Sequence, residues 1–257
     1  MTRLEGDRLR LMPRKPGSRL RRLWLVLLLL CATPSRTLLV VGSALVFLAE
    51  ATVFVSYGLL RRKERLSTGG PYALTRNPVY SAVLAANFGF WLCAGAGLAL
   101  EPAAWRFCLR IGTLTLNPPV LCMFVFLPWA ALHYLGRIRK EEPELSAAFG
   151  DAYAEYRRRV PTRLLVWPPA FFRLDWLLFE FSSGVAFRNR APSRVAKYAL
   201  WLLLFWGRWG LERDARERSL LLARHTHFWL FVGLLCATFV LYFGFRALER
   251  RFRKYRN

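Results

Sequence analysis

Acidic residues, histidines and cysteines are scarce in this 257-residue chain. Sixteen Asp and Glu stand against 39 Lys and Arg, which gives a formal net charge of +23, and there are three His and five Cys. The cysteines have neither the spacing of metal ligands nor that of a disulfide framework. We therefore expect no bound metal, and we interpret the cysteines as small buried apolar residues.

Low hydrophobicity, which marks disordered chains, is also missing. Hydrophobic residues make up 55% of the chain and aromatic residues 15%, which excludes an intrinsically disordered protein. The apolar residues form long runs between basic clusters, an arrangement typical of polytopic membrane proteins. A large positive charge also suits nucleic-acid binding. Arg-rich cytoplasmic loops give the same total, so we expect no nucleic-acid partner.

The apolar runs predict an all-α fold, namely a polytopic helical bundle integral to the membrane. Thr37–Leu60 is long enough to cross a bilayer, which takes about 20 residues. Val79–Leu100, Pro119–Leu135 and Phe228–Phe245 are further apolar stretches. Residues 20–33 predict a short first helix and not a removed leader.

Basic clusters orient this predicted bundle. The positive-inside rule places the basic N-terminus and Arg61–Arg65 on the cytoplasmic side. We divide the chain into a basic cytosolic segment (1–22), a membrane core (23–163) and a C-terminal extension (164–257) with interfacial helices and one transmembrane helix. Nothing in the sequence indicates an oligomeric state.

One acid, Glu50, lies inside the apolar run Thr37–Leu60. A carboxyl group at membrane depth is costly and is a functional candidate by default. A protonated carboxyl, or one hydrogen-bonded between helices, explains it equally well. Both interpretations remain open at this point.

Two clusters on the predicted cytoplasmic side carry candidate chemistry. In the first, Asn77-Pro78 predicts a helix start with Asn as the N-cap. Arg76 stands next to the free N–H groups of that helix, which favours an anion. Tyr72 and Tyr80 add aromatic faces and hydroxyls. The cluster therefore suits a carboxylate or phosphate beside a flat ring.

The second cluster begins with the paired acids Glu141 and Glu142. An apolar stripe at helical spacing follows, formed by Leu145, Phe149, Tyr153, Tyr156 and Val160. We expect Gly150 to bend or break this helix. The acids are explained by a solvated charged face, but carboxylates beside aromatic faces also attract an ammonium or a sulfonium.

Written together, the motifs are Gly-Pro-Tyr-x3-Arg-Asn-Pro-x-Tyr at 70–80, Glu-Glu-x2-Leu-x3-Phe-Gly-x2-Tyr-x2-Tyr at 141–156, and Val160-Pro161. They resemble the isoprenylcysteine carboxyl methyltransferases and their relatives among the phospholipid methyltransferases, over residues 60–165. The resemblance implies a membrane methyltransferase core at 23–163. It also implies S-adenosyl-L-methionine as cofactor, held in a pocket that faces the cytosol, and a lipid substrate that enters from the bilayer.

The resemblance also assigns roles. The implied cofactor-binding residues are Tyr72, Arg76, Asn77, Pro78, Tyr80, Glu142, Tyr153 and Tyr156, and the implied catalytic residues are Arg139, Glu141 and Glu142. Glu141 or Glu142 would bind the amino acid end or the sulfonium, and Arg139 or Arg137 would face the substrate head. The family commonly has His where this chain has Asn77, which cannot take up a charge, so an acid–base role at that position is in doubt.

The expected function is thus transfer of a methyl group to a lipid or isoprenylated acceptor, in an active site facing the cytoplasm. A carboxylate acceptor is already ionised, whereas an amine needs a base such as Glu141 or Glu142. The expected partners are this substrate and the bilayer. The alternative is a non-catalytic membrane scaffold or transporter-associated protein with the same fold.

Overall fold

The computed structural model describes residues 16–60, 65–95, 109–111, 114–116, 118–164, 179–216 and 221–254. Its fold is all-α, as the sequence predicts. The one addition in the described part is an antiparallel hairpin of β1 (Leu109–Ile111) and β2 (Leu114–Leu116). Much of the predicted basic N-terminal segment and residues 61–64 lie outside the described residues.

The helices in chain order are α1 (Pro16–Leu30), α2 (Arg36–Leu59), α3 (Pro71–Leu74), α4 (Pro78–Cys93), α5 (Pro118–Arg159), α6 (Ser183–Arg188), α7 (Ala191–Arg216) and α8 (Leu221–Lys254). In the described part, two helical segments are long and apolar enough to cross a membrane: α2, and Phe231–Arg251 of α8. They coincide with two of the predicted runs. The predicted stretch Val79–Leu100 gives α4, and its last residues, 96–100, lie outside the described part.

A close approach of two glycines joins α2 to α4. A Cβ atom built on Gly42 would lie 2.5 Å from the carbonyl oxygen of Gly89, and one on Gly89 would lie 2.8 Å from the carbonyl oxygen of Gly42. Neither position has room for a side chain, so the two backbones pack directly. Trp206 of α7 then donates its indole N–H to the Ser43 hydroxyl at 3.0 Å, which adds a third helix to this contact.

Aromatic side chains fill the centre of the core. Phe90 of α4 packs against Tyr198 and Phe205 of α7, with ring centroids 5.6 and 5.8 Å apart. Trp24 of α1 stacks on Phe126 of α5 at 4.2 Å. All five belong to one buried apolar cluster, so the C-terminal extension contributes to the same core as the preceding helices.

Helix α5 is longer than predicted, because the helix that contains Pro119–Leu135 continues through the polar residues after it as far as a kink, and a further helical part follows. Its kink lies at Gly150, whose φ of 48° and ψ of −123° suit glycine, so the predicted bend is confirmed. Beyond it, Tyr153, Tyr156 and Val160 are buried together. The predicted shared face is therefore also confirmed.

Two buried acids attach α7 to its neighbours. Glu50 of α2 accepts two hydrogen bonds from Arg194, both at 2.9 Å, so the interpretation of Glu50 as a group bonded between helices describes the structure. Glu249 of α8 accepts from the backbone N–H and hydroxyl of Ser193 at 2.9 and 2.7 Å. Its carboxylate thus stabilises the N-terminal turn of α7.

Candidate functional site

The two predicted clusters meet at the C-terminal end of α2, where residues 161–164 cross the start of α4. Gly70, with φ of 58°, turns the chain into the short helix α3. The backbone N–H of Arg76 donates to the Thr162 carbonyl at 3.1 Å. The Asn77 side chain donates to the Arg163 carbonyl at 3.0 Å, and the Ser81 hydroxyl donates to Leu164. We call residues 161–164 the crossing segment.

Glu142 is held between two arginines. Its Oε1 lies 3.2 Å from Nη1 of Arg76, in side chains that are 12% and 7% exposed. Arg163 binds the same carboxylate in a bidentate manner, with Nε–Oε1 at 3.1 Å and Nη2–Oε2 at 2.7 Å. Arg76 also donates through Nη2 to the Pro161 carbonyl at 3.2 Å. The hydrogen bond to Glu142 raises the pKa of Arg163, so this group is a fixed cation.

Glu141 is the centre of a second, more accessible group. The Tyr80 hydroxyl donates to its Oε1 at 2.7 Å, and Arg137 lies 3.6 Å from the same oxygen. The Arg137 guanidinium also lies over the Tyr80 ring, 5.6 Å from its centroid. On another side, Tyr80 stacks on Tyr134 at 5.0 Å. This arrangement places a partly exposed carboxylate beside two parallel aromatic rings.

Tyrosines close the deeper side of the site. The Tyr156 hydroxyl donates to the Tyr72 carbonyl at 2.8 Å, and Tyr153 lies 6.2 Å from Tyr156 between ring centroids. Burial raises the pKa of both Tyr153 and Tyr156, and the Glu142 charge raises that of Tyr153 further. Both hydroxyls are therefore neutral hydrogen-bonding groups at ordinary pH.

One sequence expectation, capping by the Asn77 side chain, differs from the observed geometry. Helix α4 starts at Pro78 and Asn77 occupies the N-cap position, but the Asn77 side chain makes no capping bond. It binds the crossing segment instead, because Arg163 offers a free carbonyl. Arg139 is exposed, and within the described residues it has no hydrogen bond or ion pair, whereas Arg137 contacts Glu141.

Several buried polar atoms at the junction have no hydrogen-bond partner in the described structure. They are Thr75 Oγ1, Thr162 Oγ1, and Nε and Nη1 of Arg76. The Arg76 Nη1 atom forms an ion pair with Glu142, but the geometry of this contact is not that of a hydrogen bond. Buried groups of this kind normally have partners. Their donors and acceptors, together with the carboxylate and rings around Tyr80, fit a polar ligand that carries a cation and a carboxylate.

Sequence reasoning missed Arg163, Tyr134 and Thr162. Arg163 follows the Val160-Pro161 pair closely, but only the crossing segment brings it to Glu142. Tyr134 lies two turns before Glu141 on α5, so helical spacing offered a signal for it. Thr162 carries no sequence signal, since its role depends on the packing of Arg76.

Comparison of the chain with models of known protein families, with curated proteins and with solved structures finds no match. Any class of activity must therefore be argued from the residues and their geometry.

Proposed function

We propose that this protein is a membrane-embedded methyltransferase that uses S-adenosyl-L-methionine and acts on a lipid or isoprenylated acceptor, through a carboxylate or an amine. One observation carries the proposal: the two motifs that resemble the isoprenylcysteine carboxyl and phospholipid methyltransferases, distant in sequence, meet through Arg76–Glu142 and Tyr80–Glu141. This is the juxtaposition that such an enzyme requires.

The chain's own residues suit the two ends of the cofactor. Arg76, with its unpartnered Nε, would hold the carboxylate of the amino acid end. Glu141 and the Tyr80 ring would attract the sulfonium cation. The Thr75 and Thr162 hydroxyls would bind the remaining polar groups. When bound, the cofactor supplies an electrophilic methyl group.

The acids differ in their capacity to act as a base. Both oxygens of Glu142 are engaged by Arg163 and one also faces Arg76, so neither oxygen is open to an incoming substrate. Glu141 is 43% exposed and pairs only loosely with Arg137. We therefore assign proton acceptance from an amine acceptor to Glu141, and positioning of Arg76 to Glu142. Arg137, which already contacts Glu141, takes the substrate-facing role in preference to Arg139.

The exposed apolar surface supports the membrane part of the proposal, and its orientation is proposed from charge alone. No residue in the most apolar stretch of α8 is buried, whereas a core helix of a soluble protein would be covered by its neighbours. Large apolar side chains are also exposed on other helices, including Phe47, Phe124, Val125 and Leu132. In the proposal these face lipid, and the positive-inside rule places the Arg-rich end in the cytoplasm.

The test is binding of S-adenosyl-L-methionine to the full chain in detergent, measured by calorimetry, followed by a labelled-methyl assay on membranes. Arg76→Gln should weaken binding at least about tenfold, since it removes a charge-assisted contact. Arg158→Gln removes an exposed arginine of the same region, paired only with Glu155, and should bind as the wild type does. A wild-type protein without saturable binding would contradict the proposal.

A specific observation also favours the alternative of a non-catalytic membrane scaffold. Glu142 pairs with both Arg76 and Arg163, as a purely structural link between α4, α5 and the crossing segment would. The labelled-methyl assay separates the two functions. A scaffold would transfer no label, yet Glu142→Gln would still lower its stability.

A further inference from the structure

Three cations surround one buried ring of the core. Tyr198 is 1% exposed, and its ring centroid lies 4.9 Å from the Arg194 guanidinium, 4.9 Å from the Lys197 ammonium and 5.7 Å from the Arg21 guanidinium. Arg194 and Lys197 belong to the first turns of α7, and Arg21 to α1. Two helices that are distant in sequence thus place like charges together.

Among the described residues, the one acid bonded to this group is Glu50, and it is already engaged. Both oxygens of Glu50 accept from Arg194, at 2.9 Å each, and Arg194 also donates to the Tyr198 hydroxyl at 3.4 Å. Within the described residues, Arg21 and Lys197 form no ion pair. With Lys197 protonated, the cluster carries an excess of two positive charges in a half-buried place. Burial and the charges of Arg21 and Arg194 lower the pKa of Lys197 to about 7, and an anion bound here would stabilise its charged form.

The surroundings of the cluster combine this charge with apolar surface. Arg21 lies between Leu20 and Leu23, both exposed large apolar side chains on α1. Asn189, just before α7, donates to the carbonyls of Tyr57 and Leu60 at 2.8 and 3.0 Å. The cluster thus lies toward the same end of α2 as the candidate site, where an acyl chain could lie beside a charged head.

We propose that Arg21 and Lys197, arranged around Tyr198, bind a phosphate or carboxylate anion carried by the headgroup of an anionic lipid. A guanidinium and an ammonium group together bind an oxyanion through charge-assisted hydrogen bonds. In the proposal, Leu20 and Leu23 contact the acyl chain of the lipid. Free phosphate offers the same oxygens without the chain. The proposal does not depend on methyl transfer, because none of these residues belongs to the site around Glu142.

Native mass spectrometry of the full chain in neutral detergent tests this site. The protein is titrated separately with phosphatidylglycerol, with zwitterionic phosphatidylcholine and with inorganic phosphate. Phosphatidylglycerol should bind at least about tenfold more tightly than phosphatidylcholine. Arg21→Gln combined with Lys197→Gln should remove this preference, while Lys197→Arg should retain it.

Arg65→Gln is the matched control, because it removes an exposed arginine paired with Glu180 elsewhere, and it should bind phosphatidylglycerol as the wild type does. Arg21→Gln alone, at a half-buried position on the first turns of α1, tests the proposal if the double variant fails to fold. Binding of inorganic phosphate equal to that of the lipid, and lost in the variants, would support the anion site but overturn the lipid as its source. Equal affinity for the two lipids without phosphate binding, or a double variant that still prefers phosphatidylglycerol, would overturn the site itself.

Discussion

At the scale of single residues, the carboxylate of Glu142 organises the candidate site. It joins Arg76, which precedes α4, to Arg163 of the crossing segment. Its removal would leave two guanidinium groups facing each other with no anion between them. Repulsion between them would move Arg76 away from the position that the proposed cofactor needs.

Glu142→Gln should therefore abolish methyl transfer while leaving expression unchanged. We expect a loss of about 2 kcal/mol in the free energy of unfolding, the usual scale for hydrogen bonds to charged groups. Glu144→Gln is the control, since Glu144 is exposed on the same helix and should have neither effect. Both are measured by labelled-methyl transfer and thermal unfolding in detergent. Near-normal turnover in Glu142→Gln would refute the assigned role.

Asn77→His should be tolerated. The side chain at this position donates to the Arg163 carbonyl, and an imidazole N–H can donate the same bond. Asn77→Leu is the comparison, because it fills similar space without a donor and leaves a carbonyl of the crossing segment unpaired. The melting temperature in detergent should fall for Asn77→Leu and stay unchanged for Asn77→His. A misfolded Asn77→His variant would contradict the alignment of the motif.

Tyr156→Phe isolates the hydrogen bond that connects the two clusters at their deeper side. The hydroxyl donates to the Tyr72 carbonyl in a buried setting, so its removal should lower the free energy of unfolding by about 1 kcal/mol. Tyr242→Phe serves as control, since that hydroxyl accepts from Arg246 on the exposed part of α8. Equal unfolding curves for both variants would show that the bond contributes nothing.

The sequence predicts the identity of most site residues better than their partners. Tyr72, Arg76, Tyr80 and Glu141 belong to the two clusters picked out by their residue types, and in the structure the two clusters are in contact. The partner of Asn77 is not predictable, because capping by Asn is a local rule whereas its actual bond depends on a segment that follows α5. Tertiary contacts of this kind leave no periodic trace in the sequence.

At the scale of helices, the contact between α2 and α4 depends on two glycines. Gly42→Ala would place a Cβ against the Gly89 backbone, and we expect a loss of about 2 kcal/mol in the free energy of unfolding, as overpacking usually causes. Gly136→Ala is the control, because nothing lies within 4 Å of its Cβ position. It should be neutral or stabilising by up to about 1 kcal/mol, since Ala favours helices. Thermal unfolding of both variants measures these changes, and equal stability of Gly42→Ala and the wild type would contradict the expected loss.

Helix α5 shows why element boundaries were harder to predict than element types. Polar residues from Arg137 onward end the apolar stretch Pro119–Leu135, and the apolar stripe that begins at Leu145 is predicted separately. The charged residues there are good helix formers and pair one turn apart, as Arg137 and Glu141 do. A helix can therefore leave an apolar environment without ending. The backbone angles of α5 depart from helical values at Gly150, where the residue type itself allows the prediction.

At the scale of the whole molecule, the proposed membrane insertion depends on apolar side chains that the chain itself leaves uncovered. Val240 in the middle of α8 is 70% exposed. Val240→Asp should lower insertion by about 3 kcal/mol, the scale found for acids at a helix centre. Ser146→Asp, at an exposed position among polar residues of α5, is the control. The fraction that resists alkaline extraction from membranes measures the effect, and an unchanged fraction for Val240→Asp would contradict insertion of α8.

The bond between Glu50 and Arg194 has a practical consequence for anyone who shortens this protein. A fragment that ends before α7 would retain the buried Glu50 carboxyl inside α2 but lose the guanidinium bonded to it, along with the rings of Tyr198 and Phe205. Such a fragment should be prepared with Glu50→Gln or Glu50→Leu from the outset. Failure of the unmodified fragment to express would otherwise be mistaken for proof that the first 164 residues hold no independent fold.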